Sequence, residues 1–97
     1  MTFLLSQDQL AEDLLGSKGR VRILRALTED GSLNHSQICR RVGMKHGDVN
    51  RHLDALKELG MIREKRHGFI RMFEIAFDEL HILIKRNRGI DVKIVRR

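Results

Sequence analysis

The stretch NHSQICRRVGMKHGDVNRHLDALKELG, residues Asn34–Gly60, decides how the chain folds. It reads as two helices around a tight turn at Val42-Gly43-Met44. Asn34 and Gln37 have the spacing of a capping box, with Asn in place of the usual Ser or Thr. Ile38 and Val42, four apart, face inward with Cys39 beside them. A single cysteine on so apolar a face is read as core filler rather than a nucleophile. Gly43 suits a helix C′ position that needs positive φ, which lets the chain turn sharply. The second helix spans 46–59, and its Val49, Leu53 and Leu56 make one core-facing seam. Its opposite face carries Gly47, Asn50, Arg51 and Asp54, with Lys45 and His46 at the mouth. Asn and Arg can pair bidentately with base edges, and a glycine in the first turn lets backbone N–H groups approach phosphate. Such a face is ordinarily only solvated. Its place after a tight turn in a basic chain makes it a helix presented to a groove.

The flanks extend this reading. Residues 6–15, SQDQLAEDLL, form a short acidic helix capped by Ser6, with Leu10, Leu14 and Leu15 as its apolar stripe. So little apolar surface cannot hold a helix alone, so it needs a packing partner. Ser17 caps a second helix, KGRVRILRALTED, ended by Gly31, with Val21, Leu24 and Leu27 inward. Arg20, Arg22 and Arg25 lie on its remaining surface, where a solvated face is preferred over phosphate contact. After Gly60, Met61–Arg66 and Phe69–Ile75 read as two strands joined by His67-Gly68. Phe69, Phe73 and Ile75 share one face with Arg71. This basic hairpin, 62–75, is a wing, and its tip would lie along the DNA backbone or enter the minor groove. Residues 77–88, FDELHILIKRNR, read as a last helix with Phe77, Leu80 and Ile84 on one face and charges that suit the helix dipole. The basic tail 89–97 alternates apolar and charged residues, as a short strand or a frayed end would.

Ninety-seven residues suit one domain with one core. The net charge of +6 favours a polyanionic partner, yet residues 1–16 carry −3 and every later segment is positive. The acidic end should therefore face away from nucleic acid. No apolar run approaches the roughly 20 residues that span a bilayer. Phe3-Leu4-Leu5 lacks a basic leader, and a single cysteine allows neither an intrachain disulfide nor a zinc knuckle. A cytoplasmic, nucleoid-associated protein without membrane contact is expected. Nothing resembles an enzyme: no Ser-His-Asp or Cys-His pair has telling spacing, and no Gly-rich phosphate loop follows a strand.

Residues 17–75 resemble the winged helix-turn-helix of the ArsR (arsenic-repressor-like) transcription regulators. The residues that carry the resemblance are Arg20-Val21-Arg22-Ile23-Leu24-Arg25-Ala26-Leu27, then Ile38-Cys39-Arg40-Arg41-Val42-Gly43. It continues through Val49-Asn50-Arg51-His52-Leu53, Leu56 and Leu59-Gly60-Met61-Ile62 to the basic hairpin around Gly68. The expected fold is α+β and mainly α: a three-helix core with a β-hairpin wing and extra N- and C-terminal helices. The resemblance implies a homodimer that binds a pseudo-palindromic site in double-stranded DNA, with one recognition helix per half-site in successive major grooves. It also implies that the terminal helices dimerise, through Leu10, Leu14, Phe77, Leu80 and Ile84. Ser36, Gln37, Lys45, His46, Gly47, Asn50 and Arg51 would contact DNA, with Arg66, His67 and Arg71 on the wing. The departures are at the recognition helix, where Lys45-His46-Gly47 replaces the usual Ser or Thr, and in metal ligands. Metal-sensing members carry Cys-x-Cys in the positioning helix or Asp and His pairs in the last one. Here Cys39 is single and the five histidines are spread over separate elements, so no metal site and no cofactor are expected. The function expected is a sequence-specific repressor; an architectural DNA-binding protein or a protein–protein module on the same fold are the rivals.

Overall fold

In the computed structural model, which describes residues 7–96, the order of elements follows from local caps. Helix α1 spans Gln7–Leu15; the Ser6 cap expected for it lies outside the described residues. Helix α2, Lys18–Asp30, starts where the Ser17 hydroxyl accepts the Arg20 N–H and stops where the Gly31 N–H meets the Leu27 carbonyl. A short strand β1, Ser32–Asn34, leads into helix α3, His35–Val42. The capping box is complete. Gln37 N–H donates to Asn34 Oδ1 at 2.9 Å and Asn34 N–H donates to Gln37 Oε1 at 2.8 Å. Gly43 then takes the left-handed conformation (φ 68°, ψ 37°) and the chain turns into helix α4, His46–Glu58. At the far end of α4, Gly60 N–H reaches Lys57 O and Met61 N–H reaches Leu56 O, the paired bonds of a Schellman motif.

Strands β2 (Ile62–His67) and β3 (Ile70–Ile75) form the wing, and β1 pairs with β3 on its other side, giving the antiparallel order β1-β3-β2. Leu33 lies opposite Phe73 in that register. The core sits between this sheet and α2–α4. Ile23, Ile38, Val49, Leu56 and Met61 have no measurable exposure, and Phe73 has 1%. Fully burying side chains of this size is worth about 1.5–3 kcal/mol each. The architecture is mixed α+β, mainly helical, as expected of a winged helix.

Two expectations are corrected. Residues 77–88 are not a helix: Glu79–Lys85 is strand β4, paired antiparallel with strand β5, Gly89–Val95. From Leu80 onward Leu80, Ile82 and Ile84 alternate with His81, Leu83 and Lys85, a period of two rich in β-branched residues. The alternating tail supplies the matching strand, while Asn87 and Gly89, both at positive φ, allow the turn. The tail is therefore ordered strand through Val95. This hairpin packs on α1, where the Gln7 side-chain carbonyl accepts the Val92 N–H at 2.6 Å. The wing turn is also shifted by one residue. His67 pairs with Ile70, so the loop is Gly68-Phe69, with positive φ at Gly68. Phe69 thus leaves the face of Phe73 and stands fully exposed at the tip.

Candidate nucleic-acid interface

The helix α4 is positioned by its buried seam, Val49, Leu53 and Leu56, which fixes the rotation of everything else on it. Lys45, His46, Gly47, Asn50 and Arg51 are consequently exposed together. No side chain caps the start of α4, so its first N–H groups keep the positive end of the helix dipole open, with Asp48 in the first turn offsetting part of it. Lys45 and Asn50 have no side-chain partner among the described residues. Arg51 instead pairs with Asp48, one turn back. On α3, Ser36 is exposed, whereas Gln37 is half-buried with its carbonyl oxygen engaged in the capping box, leaving only its amide N–H groups for phosphate. Asp54 is exposed further along α4.

The wing holds its cations in two ways. Glu64 Oε1 accepts from Arg71 at 2.7 Å and from Lys57 of α4 at 3.1 Å, tying wing to recognition helix. These hydrogen bonds, Arg71 foremost and then Lys57, hold the Glu64 carboxyl well below the usual range, at about 2. The Arg71 guanidinium also lies over the Phe73 ring at 5.4 Å. Arg63 and Lys65 both bind Glu74, whose carboxyl is lowered chiefly by the Lys65 hydrogen bond. Arg66 is different. It stands directly opposite Arg71 across the strands, and its nearest carboxylate oxygen is 4.0 Å away. Like charges opposed in this way are unfavourable unless an anion sits between them. His67 beside it is exposed.

Comparison with known proteins fits this geometry. Residues 17–64 match the family of bacterial regulatory proteins described as the arsR family. Residues 17–64 are an ArsR-family helix-turn-helix domain. A possible transcriptional regulatory protein from Mycobacterium bovis is similar at 27% identity with a TM-score of 0.62, over 72% of this chain and 74% of that one. The antimony-specific transcriptional repressor AntR is similar at 28% identity with a TM-score of 0.61, over 69% of this chain and 60% of that one. A Campylobacter jejuni peroxide stress regulator, at 16% identity and a TM-score of 0.60, covers 97% of this chain and 73% of its own, a likeness of fold alone. No curated protein matches significantly. The chain is a DNA-binding transcription regulator, and the family and its neighbours are regulators rather than enzymes. No helix among the described residues is long and apolar enough to cross a membrane.

Around the ArsR-type domain, several side chains lie where sequence reasoning did not put them. Arg20 is half-buried, not on a solvated face, and donates to the Asp13 carbonyl at 2.7 Å, joining α1 to α2. His52 is half-buried beside the seam, and burial, followed by the charges of Arg20 and Arg51, lowers its pKa. Gly19 permits this contact, since a Cβ there would stand 2.7 Å from His52 Nε2. Leu14, assigned to a dimer contact, is 1% exposed inside its own chain's core, and Leu10, Phe77 and Leu80 pack half-buried on that core. Of that set only Ile84 is freely exposed, at 78%. Cys39 is buried, and burial pushes its thiol up, as a filler's would be. Yet the fold brings His35 and His46 to it, although the sequence reading kept these histidines apart. The available signal was the i,i+4 spacing of His35 and Cys39 followed by a histidine just after the Gly43 turn.

Proposed function

We propose that the chain is a dimeric, sequence-specific repressor, with α4 in the major groove of each half-site and the wing on the neighbouring backbone. The observation that carries this reading is the exposed face of α4. Gly47, Asn50 and Arg51 stand clear of the buried seam, and Lys45 and Asn50 have no side-chain partner among the described residues. Asn50 and Arg51 would read base edges, each worth about 1–3 kcal/mol of discrimination. Ser36, Lys45, His46, Arg66, His67 and Arg71 would grip phosphate, with the Gln37 amide as a further donor. The likeness to AntR supports repression, exerted by occluding a promoter. Dimerisation would use the exposed apolar surface around Ile84 on the β4–β5 hairpin, and the protein would work in the cytoplasm at the nucleoid. Selection of bound duplexes from a random pool tests the proposal. Recovery of a two-fold symmetric motif, with half-sites about one helical turn apart, is the expected result. A selected pool that shows no motif and binds no more tightly than the starting duplexes would instead assign the fold to sequence-neutral packaging of DNA.

A further inference from the structure

The joint between α3 and α4 gathers three metal-ligating side chains from both sides of the turn. His35 opens α3, Cys39 follows one helical turn later on the same face, and His46 opens α4. The His35 and His46 Nδ1 atoms are 2.9 Å apart, and Cys39 Sγ is 3.8 Å from His35 Nδ1. One donor atom from each residue lies within 4.8 Å of the other two, and the two rings stack at 4.7 Å. Hydrogen bonding accounts poorly for this convergence. One shared proton can satisfy the two facing nitrogens, but the thiol approaches a nitrogen that is already committed. The His35 Nε2 is buried with no partner among the described residues, so that ring's polar interactions are all on the Nδ1 side.

We propose that His35, Cys39 and His46 form a binding site for a borderline-soft divalent cation of the zinc class. A tetrahedral ion with bonds of about 2.0–2.1 Å to nitrogen and about 2.3 Å to sulfur separates two nitrogens by about 3.3 Å and nitrogen from sulfur by about 3.6 Å. The observed 2.9 Å and 3.8 Å lie on either side of those edges. Cys39 Sγ and the His46 nitrogen, within 4.8 Å of each other, must approach by up to about 1.2 Å, a movement that rotation of the exposed His46 side chain supplies. One thiolate and two imidazoles select zinc or cobalt over magnesium or calcium, which prefer oxygen. Cys39 supplies a buried anchor, and the exposed His46 leaves a path for entry and a fourth position for water. The residues differ from the Cys-x-Cys pattern, and the ion would clamp one helix of the helix-turn-helix to the other while withdrawing His46 from solvent. The inference does not depend on sequence-specific DNA reading, because it concerns the free protein.

The test is titration of the chelator-treated full chain with Co(II), followed by competition with Zn(II). One equivalent of cobalt should bring up a thiolate-to-cobalt charge-transfer absorption that zinc abolishes. Zinc at about a hundred times its Kd should raise the Tm by about 10 °C or more. His46→Gln, at an exposed position, should keep the metal-free Tm while weakening cobalt binding about tenfold or more. Cys39→Ser should abolish the charge-transfer band. Absence of that band in the parent chain, or cobalt binding by His46→Gln and Cys39→Ser equal to the parent's, overturns the proposal.

Discussion

Replacing Glu64 by glutamine tests the link between wing and recognition helix, because Gln keeps the shape and removes the charge. The carboxylate holds Arg71 at 2.7 Å and Lys57 at 3.1 Å, and its pKa of about 2 stands against an ordinary 4.5. At about 1.4 kcal/mol per unit, this corresponds at face value to roughly 3–4 kcal/mol. The Lys57 and Arg71 side chains are 38% and 45% exposed, however, so water and salt screen the pairs. Exposed pairs contribute about 0.2–1 kcal/mol each, which puts the loss in Glu64→Gln at about 1–2 kcal/mol. The sign follows from the depressed carboxyl. Its stabilisation is complete above pH 4.5 and fades as pH falls toward about 2, so parent and variant should converge in that window. Denaturant melts at pH 7 and through the acid range give both numbers. The same substitution frees two cations beside the proposed DNA path. Each added phosphate contact steepens the dependence of log K on log salt by about 0.9, so the slope should grow by about 1–2. Weaker stability with an unchanged slope would show that Arg71 and Lys57 do not face DNA; unchanged stability would refute the stabilising role of the carboxylate.

Other substitutions examine separate parts of the reading. Gly43→Ala should cost about 1–2 kcal/mol in denaturant melts, since φ is 68° and nothing among the described residues lies within 4 Å of an added Cβ to offset the backbone strain. His52→Gln should flatten the stability profile just below pH 6.5. The folded pKa is lowered, so in the parent the unfolded state takes up the proton first and stability falls as pH drops through 6.5. Arg51→Ala should change the preferred sequence in duplex selection, while Arg66→Ala should weaken binding to all duplexes alike and reduce the salt slope by about 1. Equal losses on selected and random duplexes for Arg51→Ala would remove its base-reading role. Ile84→Glu should turn a dimer into a monomer in sedimentation with little change in the Tm, as the side chain is 78% exposed.

The net charge of +6 overstates what the interface offers to DNA. Arg51 is held by Asp48, Lys57 and Arg71 by Glu64, Arg63 and Lys65 by Glu74, and Arg41 by Glu29 and Asp30. A phosphate that recruits one of these exchanges anion for anion, gaining less than it would from an unpaired cation. Among the described residues Lys45 is unpaired and Arg66 nearly so, and they should dominate sequence-neutral attraction. In the proposed complex, Arg51 would leave Asp48 profitably only where a guanine presents two acceptors in the right geometry. On that proposal its self-pairing would favour discrimination over affinity.

How much the sequence reveals depends on the distance between cause and effect along the chain. The caps at Ser17 and Asn34, the turn at Gly43 and the seam of α4 rest on residues three or four apart, and all are legible. Strand β1 is not, because Ser32-Leu33-Asn34 is extended only by pairing with β3, some forty residues away. The wing register slipped by one for a related reason: either His67-Gly68 or Gly68-Phe69 can make a two-residue turn, and cross-strand pairing chooses between them. The cation ligands meet only once Gly43 has folded α4 back on α3. Residues 79–95 show the hardest case. The spacing of Phe77, Leu80 and Ile84 fits one face of a helix, and Leu80, Ile82 and Ile84 fit one face of a strand equally well. What decides is the partner segment 89–95, whose alternation can be matched residue for residue from Glu79↔Val95 to Lys85↔Gly89. That choice changes the proposed dimer as well as the fold. A helix would have offered Phe77, Leu80 and Ile84 as one stripe. The hairpin turns Leu80 toward its own core and leaves Ile84 outside, so a second copy of the chain would meet a strand face rather than a helical one.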